Sequence, residues 1–552
     1  MKKFNLIKIY ILLSIVCFFT CCDKNNMIDE QEIDDGNNIQ NIEFTPDEQK
    51  VLWQMRNQDN KISREEAFLL ANEVIGFLDG ESLTKSGTSR RIASVAALHN
   101  EKGKKISIKS TEDATHVEMP DTIAYLFNFN DSLGFTIIAA DTRLDSPILC
   151  YTGSGTLGDS IDNPGMALFL EGAEYYIERS IIEAQQLRDS LIASILEKID
   201  EIGVKDTVYI DENDIATKAL APVINEYIDG TNPQTSYSYG PWSVNTRVGP
   251  LLSVEWGQGA PFNANVPKNC SNDPSGKAPV GCVVVSTSYI LTYWFNKKSV
   301  LLTLDGYSFN SNLLCRYTWN PNRYDVAASN SIQTSNGTSE AIQARSQLAR
   351  LFERVGSRIG IEYDCDGSSA KTTNGVEFLR SLGFTYGVSG YFDEIWERGQ
   401  DYNFDVVKNS LNQGRPVIAR GNSEKTTTTF LGINLWSTYN GGHSWVMDGY
   451  MRNSRQVTVT VSTSSSGYAA PLLKSNLNNP VMLITTTTTS TYTEYSPYYI
   501  HHNWGWRGTD NGYYVAGSFN ANDKELHSNT KSSESHNYQY NKEIFPNIYF
   551  QF

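Results

Sequence analysis

No CxxC pair occurs in the 552 residues, which argues against zinc knuckles and thioredoxin-type dithiols. No Lys/Arg block is long enough to grip a phosphate backbone, and a formal charge of −16 leaves no basic face, so nucleic acid is not expected as a partner. No apolar run reaches the length of a bilayer span. Histidine is scarce, with seven in all. His501 and His502 are adjacent, but no HExxH and no third ligand accompany them, so neither a metal nor any other cofactor is expected. What is present is a globular composition, and this length predicts two or three domains.

Of the eight cysteines, Cys17, Cys21 and Cys22 fall at the extreme N-terminus. Lys2, Lys3 and Lys8 precede the short apolar run Ile9 to Phe19, which reads as a signal peptide over 1–22. Cysteine at the expected cleavage point resembles the bacterial lipoprotein signal, with Cys21 or Cys22 as the lipidated residue. The expectation is an exported chain, either anchored to the cell envelope through that lipid or secreted. Cys150, Cys270, Cys282, Cys315 and Cys365 remain, a sparse set that implies one or two disulfides at most and at least one free thiol.

Residues 23–44 hold seven acids and one Lys and read as an acidic tether. A folded segment follows over 45–202. Ser63 and Glu66 form a capping box before the helical spacing of Leu70, Ala71, Val74, Phe77 and Leu78. Ile92 to Leu98 and Ile106 to Lys109 are strand-like, and Ile123 to Ala140 reads as a hairpin turning at Asn130 to Gly134. Met166 to Ile202 is helical, as one helix or two. Residues 203–224 are charged and poor in bulky apolar side chains, the character of an exposed linker open to cleavage, with the cut expected near Lys218 and Ala219.

The remaining stretch, 225–552, is rich in Trp, Tyr, Gly and Asn, and it carries the chemistry. Cys282 stands where Pro279 and Gly281 give way to an apolar helical run, and a helix N-terminus favours thiolate. Taken alone, such a cysteine is as readily a small buried apolar residue. His443 follows Gly441 and Gly442 at the start of an alternating apolar run, which places its imidazole at the head of a strand. Asn503 lies between aromatics in His501 to Trp506. Asp448, five residues after His443, competes as an orienting group, but on a strand it points to the opposite face, so Asn503 is preferred. Cys, then a distant His, then Asn is the order of a papain-like thiol protease.

The set Trp256-Gly-Gln258, Val280-Gly-Cys282, Gly441-Gly-His443 with Asp448-Gly449, and Asn503-Trp-Gly-Trp506 resembles the streptopain family of cysteine peptidases, peptidase family C10. Residues 125–152 resemble that family's inhibitory propeptide, and the likeness runs over roughly 45–520. The resemblance implies an α+β papain-like fold, in which a helix bearing the nucleophile packs on an antiparallel sheet behind a small α+β propeptide domain. It implies a zymogen of a cysteine-type endopeptidase acting on proteins or peptides and held inactive by its own propeptide. In that reading Cys282 is the nucleophile, His443 the general base and acid, Asn503 the orienting group and Gln258 an oxyanion donor. Trp504 and Trp506 shield the pair, and the Gly442 carbonyl faces the substrate backbone. The Asn- and Ser-rich 310–339 and the Ser/Thr-rich 458–493 are long for the family. Two other readings share the residues: a cell-wall amidase or thiol acyl-transferase, and a non-catalytic binding lipoprotein of the same fold.

Overall fold

The computed structural model describes residues 60–81, 89–99, 105–109, 114–118, 122–158, 163–201, 234–271, 276–316, 339–385, 399–421, 428–430, 433–435, 442–467, 482–519 and 542–550, with Asp47, Val51 and Ile161. The signal peptide with Cys21 and Cys22, the acidic tether, and the linker with Lys218 and Ala219 lie outside the described residues. The chain divides into two compact units: 1–60, 181–242 and 454–495 make one; 61–180, 243–453 and 496–552 make the other. In the first, Gln234–Tyr239 pairs antiparallel with 457–462, and the Arg455 guanidinium lies over the rings of Tyr239 and Trp242.

The second unit is mixed helix and antiparallel sheet. Its first helix, α1 (Arg64–Glu81), starts at the expected capping box. The Ser63 N–H donates to Glu66 Oε2 at 2.8 Å, and the Glu66 N–H donates to Ser63 Oγ at 3.2 Å. Two otherwise orphaned helix-end donors are thereby satisfied. Ala67 and Ala71 on the apolar face pack with Ile62, Phe127 and Ile138. Beneath them run β1 (Ile92–His99), β2 (Thr122–Phe129), β3 (Phe135–Ala139) and β4 (Ile148–Thr152), each paired antiparallel with the next. The expected hairpin is β2–β3, turned through Asn130–Ser132. Of the two forms allowed for the next segment, the structure takes the single helix α2 (Pro164–Glu201), with no Gly or Pro after Gly172 to interrupt it.

Helix α3 (Cys282–Lys297) is buried at Val283 to Thr292 and at Trp294. It is buried on nearly every side because it runs through the core rather than over it. Helices α4 (Ser339–Ile359) and α5 (Thr372–Ser381) pack against it, α4 through Leu348, Leu351, Phe352 and Val355 at helical spacing. The sheet is completed by β5 (Val417–Gly421), β6 (His443–Gly467), β7 (Met482–Asn503), β8 (Gly512–Val515) and β9 (Glu543–Phe545). Its strand order is β1-β2-β3-β4-β8-β7-β6-β5-β9, ending at Gln400–Asp401. The sheet of the N-terminal segment is therefore joined edge to edge with that of the C-terminal segment through β4 and β8, with Thr152 opposite Gly512 and Cys150 opposite Tyr514. Pairing of this kind removes two open edges at once.

The apolar stretch 251–257 forms an irregular rail, not a strand. Its main-chain groups are met by side chains and loops instead of a neighbouring strand: Asn503 Nδ2 donates to the Val254 carbonyl at 2.8 Å, and the Trp256 N–H donates to Tyr289 Oη at 2.7 Å.

Candidate active site

Cys282 is the first residue of α3, preceded by Gly281 at φ 87°. A side chain at 281 would be strained there and would meet Ile361 and the Ser368 carbonyl, so the tight entry to the helix needs glycine. The approach is also braced covalently, because Cys270 and Cys365 form a disulfide while Cys150, Cys282 and Cys315 are free thiols. Ser368 Oγ adds a bond to the Pro279 carbonyl, and Lys268 pairs with Asp364. Burial pushes the half-buried Cys282 thiol up, and the N–H groups of Ser444, Cys282 and Val283 draw it part of the way back.

His443 opens β6, at the head of a strand as expected, and is 3% exposed. Its ring stacks on Trp445 at 5.9 Å and meets the edge of Trp506 at 6.1 Å. Burial lowers its pKa to about 4, against a smaller upward pull from the Trp504 carbonyl, which lies 2.9 Å from Nε2. Since the thiol is raised and the imidazole lowered, both are neutral at pH 7, and the thiolate–imidazolium form is not favoured in this conformation. The two residues still sit on adjoining elements: Ser444, next to His443, is one of the backbone groups that draw the thiol pKa down, and its Oγ lies 2.9 Å from Ser286 Oγ of α3.

The other named residues surround this pair. Gln258 is half-buried, and its carbonyl accepts the Val280 N–H at 2.9 Å, two residues before the thiol. Trp504 is fully buried and Trp506 partly so, both beside the imidazole or its contacts. Gly442 is exposed. Asn503 does not bond His443: it donates to the Val254 carbonyl, and its Oδ1 accepts the Gly505 N–H at 3.3 Å. Strand alternation accounts for this. His502 accepts from Trp445 Nε1 and so shares the face of His443, whereas His501 and Asn503 share the face of Asp448. The parity that sets Asp448 aside thus applies to Asn503 as well. The neighbours His501 and His502 diverge to opposite faces, and no cluster of three metal-ligating side chains occurs among the described residues.

Sequence reasoning missed the turn from Trp504 to Asn511, which ties the site to the N-terminal segment. Ser154 Oγ donates to the Gly508 carbonyl at 2.5 Å, and Asn163 Nδ2 donates to Asp510 Oδ2 at 3.0 Å. The Asp510 carbonyl in turn accepts Trp504 Nε1 at 3.1 Å. Gly165, in the first turn of α2, lies flat on the Trp504 indole, where a Cβ would come within 2.1 Å of the ring. These partners are more than 300 residues apart, and no local pattern announces them.

Burial pushes the Asp510 carboxyl up to about 6, and the Asn163 bond offsets this in part. A carboxyl raised in the folded state costs nothing while neutral, so the stability it leaves intact at acid pH is lost as pH rises through about 6. In the inert Cys282→Ala chain, Asp510→Asn is expected to stabilise by about 2 kcal/mol at pH 8 and by almost nothing at pH 4. Urea unfolding at the two pH values checks this, and an equal difference at both would refute it.

Residues 256–514 match the Peptidase C10 family. This segment belongs to that family. Residues 59–177 match the Spi protease inhibitor family. A C10 segment behind an inhibitor segment makes the chain a cysteine-type endopeptidase zymogen, with residues 59–177 as the intramolecular inhibitor of the C10 segment. Among solved structures, a prointerpain A fragment from Prevotella intermedia is 17% identical, covering 81% of this chain and 99% of its own, with a TM-score of 0.37. Active interpain A cysteine protease from the same organism is 20% identical over 55% of this chain and 96% of its own, with a TM-score of 0.27. No curated protein matches the chain. In C10 terms, the β4–β8 junction and the turn from Trp504 to Asn511 are where inhibitor and peptidase segments meet.

Proposed function

We propose that the chain is exported, held latent by the segment before residue 203, and released by cleavage in 203–224 near Lys218 and Ala219. Cys282 then attacks the scissile carbonyl as thiolate, while His443 takes its proton and later delivers one to the leaving amine. Gln258 and the Cys282 N–H take the oxyanion, the Gly442 carbonyl takes substrate backbone, and Trp504 and Trp506 keep water from the pair. The observation that carries this reading is the 2.9 Å contact between Ser444 Oγ and Ser286 Oγ, which ties the residue after His443 to the first turns of the helix that Cys282 opens. Hydrolysis would require the imidazole to leave the Trp504 carbonyl and turn to the thiol. The Trp504–Asn511 turn is gripped by Ser154, Asn163 and Gly165, so removing the inhibitor segment would loosen the element that holds His443 aside.

Export and lipidation at Cys21 or Cys22 are part of the same proposal. The Cys270–Cys365 disulfide supports export, since such pairs persist in oxidising compartments. Before cleavage the membrane would be a partner only through that lipid, and cleavage would free the peptidase. Cutting is proposed to be autocatalytic. Purified alone, the Cys282→Ala chain is expected to stay full length while the wild type shortens; a Cys282→Ala chain that loses its first segment at the wild-type rate would count against autocatalysis.

A further inference from the structure

We infer that the buried pair Asp448–His501 positions the rail 251–258, and through it Gln258, in the catalysed reaction. The inference rests on the reading of Gln258 as an oxyanion donor. The rail is not a strand, so nothing in regular secondary structure fixes where Gln258 comes to rest. Its entry is held by one residue: Asp448 accepts the Leu251 N–H on its carbonyl at 2.7 Å and the Leu252 N–H on carboxylate Oδ2 at 3.0 Å. The other carboxylate oxygen, Oδ1, takes His501 Nδ1 at 2.6 Å. Asp448 is fully buried and His501 is 8% exposed.

The surroundings are shaped to this contact. At Gly249 a Cβ would come within 2.4 Å of the Asp448 carbonyl oxygen, and at Gly449 within 2.8 Å of the Val248 carbonyl oxygen, so two glycines allow the rail to ride against β6. Beyond Leu252 the rail is pinned by Asn503 at Val254, by Tyr289 and the Arg507 N–H at Trp256, and by the Val280 N–H at Gln258. A buried, hydrogen-bonded carboxylate–imidazole pair contributes little to stability against apolar replacements. What it does supply is a doubly held acceptor whose orientation cannot drift, and displacements of about 1 Å are enough to weaken an electrostatic site severely. Asp448 and His501 touch neither substrate nor the reacting atoms, so they are positioning residues.

The test is a double-mutant cycle on the full-length protein after processing, with a peptide substrate. Gln258→Ala alone is expected to lower kcat by about a hundredfold. His501→Leu is expected to lower kcat by about tenfold or more with KM changed less than about twofold, and to add almost nothing on the Gln258→Ala background. His501→Gln, which keeps a side-chain N–H for the carboxylate, is expected to recover most of the rate. Multiplicative losses in the double mutant, a change carried by KM, or failure of His501→Gln to recover activity would each overturn the inference. Full activity in Gln258→Ala alone would overturn the oxyanion reading first and the inference with it, an outcome visible without any change at His501. Where His501→Leu does not fold, Asp448→Asn, which keeps the shape of the carboxylate, gives the same readout.

Discussion

Replacing Cys282 or His443 with Ala is expected to abolish casein hydrolysis by the processed enzyme, a loss of at least about a thousandfold for either, with the double substitution no worse. The equality of the three follows from how the pair works. A cysteine at its ordinary pKa is only a few per cent thiolate at pH 7. The N–H groups of Ser444 and Val283 help at this helix end, yet burial outweighs them and keeps the proton on sulfur. Without an imidazole to take that proton the thiol is inert, and without the thiol the imidazole has no nucleophile to serve. Ala at 282 removes a half-buried sulfur from the end of a helix that stays buried from Val283 to Thr292, so the fold should survive the substitution. Equal casein digestion by the wild type and both variants would end the proposal.

The second large effect is expected at Gly165. Helix propensity alone says that Gly165→Ala stabilises, by up to about 1 kcal/mol. The contact says the opposite. The new methyl would lie 2.1 Å from an indole that is fully buried and fixed through its Nε1 to the Asp510 carbonyl, so the ring has no room to give way. Overpacking of this kind typically costs 1–3 kcal/mol, roughly, and here it falls on the seat of α2 against the peptidase segment. The contact should win. In the Cys282→Ala background, the substitution is expected to lower the melting temperature and to speed removal of the N-terminal segment by an added protease by about tenfold. In the active background it should shorten the lag before casein hydrolysis. An unchanged or higher melting temperature with an unchanged lag would show that Trp504 is not what seats the inhibitor.

How far the sequence could be read depends on how local each signal is. The capping box at Ser63 and Glu66, the turn at Asn130 to Gly134 and the start of α3 at Cys282 are short-range devices, and each forms where its residues say. The four motifs that resemble the C10 family were legible together with their order, and all four fall within or at the edge of the segment that matches that family. Partners set by tertiary contact were not. Asn503 looks like the orienting group of His443 until the alternation along β7 is set against that along β6, which places it with Asp448 instead. The rail 251–257 has the composition of a strand, but its hydrogen bonds go to Asp448, Asn503 and Tyr289, so the strand does not form. The Cys270–Cys365 pairing and the Asn163–Asp510 bond join loops 95 and 347 residues apart, for which no spacing rule exists. The insertions around 310–339 and 458–493 lie largely outside the described side chains.

The central claim is that Cys282 is a nucleophile kept quiet in the intact chain by burial and by the turning of His443 toward Trp504. The most direct test is the rate of Cys282 alkylation by iodoacetamide, followed by mass spectrometry at pH 7 in the full-length chain and again after cleavage in 203–224. The account predicts slow labelling before the cut and labelling faster by at least about tenfold after it. Cys150, which is buried, and Cys315, which burial pushes up to about 11, should stay slow throughout. Equal rates at Cys282 before and after cleavage, or a Cys282 that never reacts faster than Cys315, would contradict it.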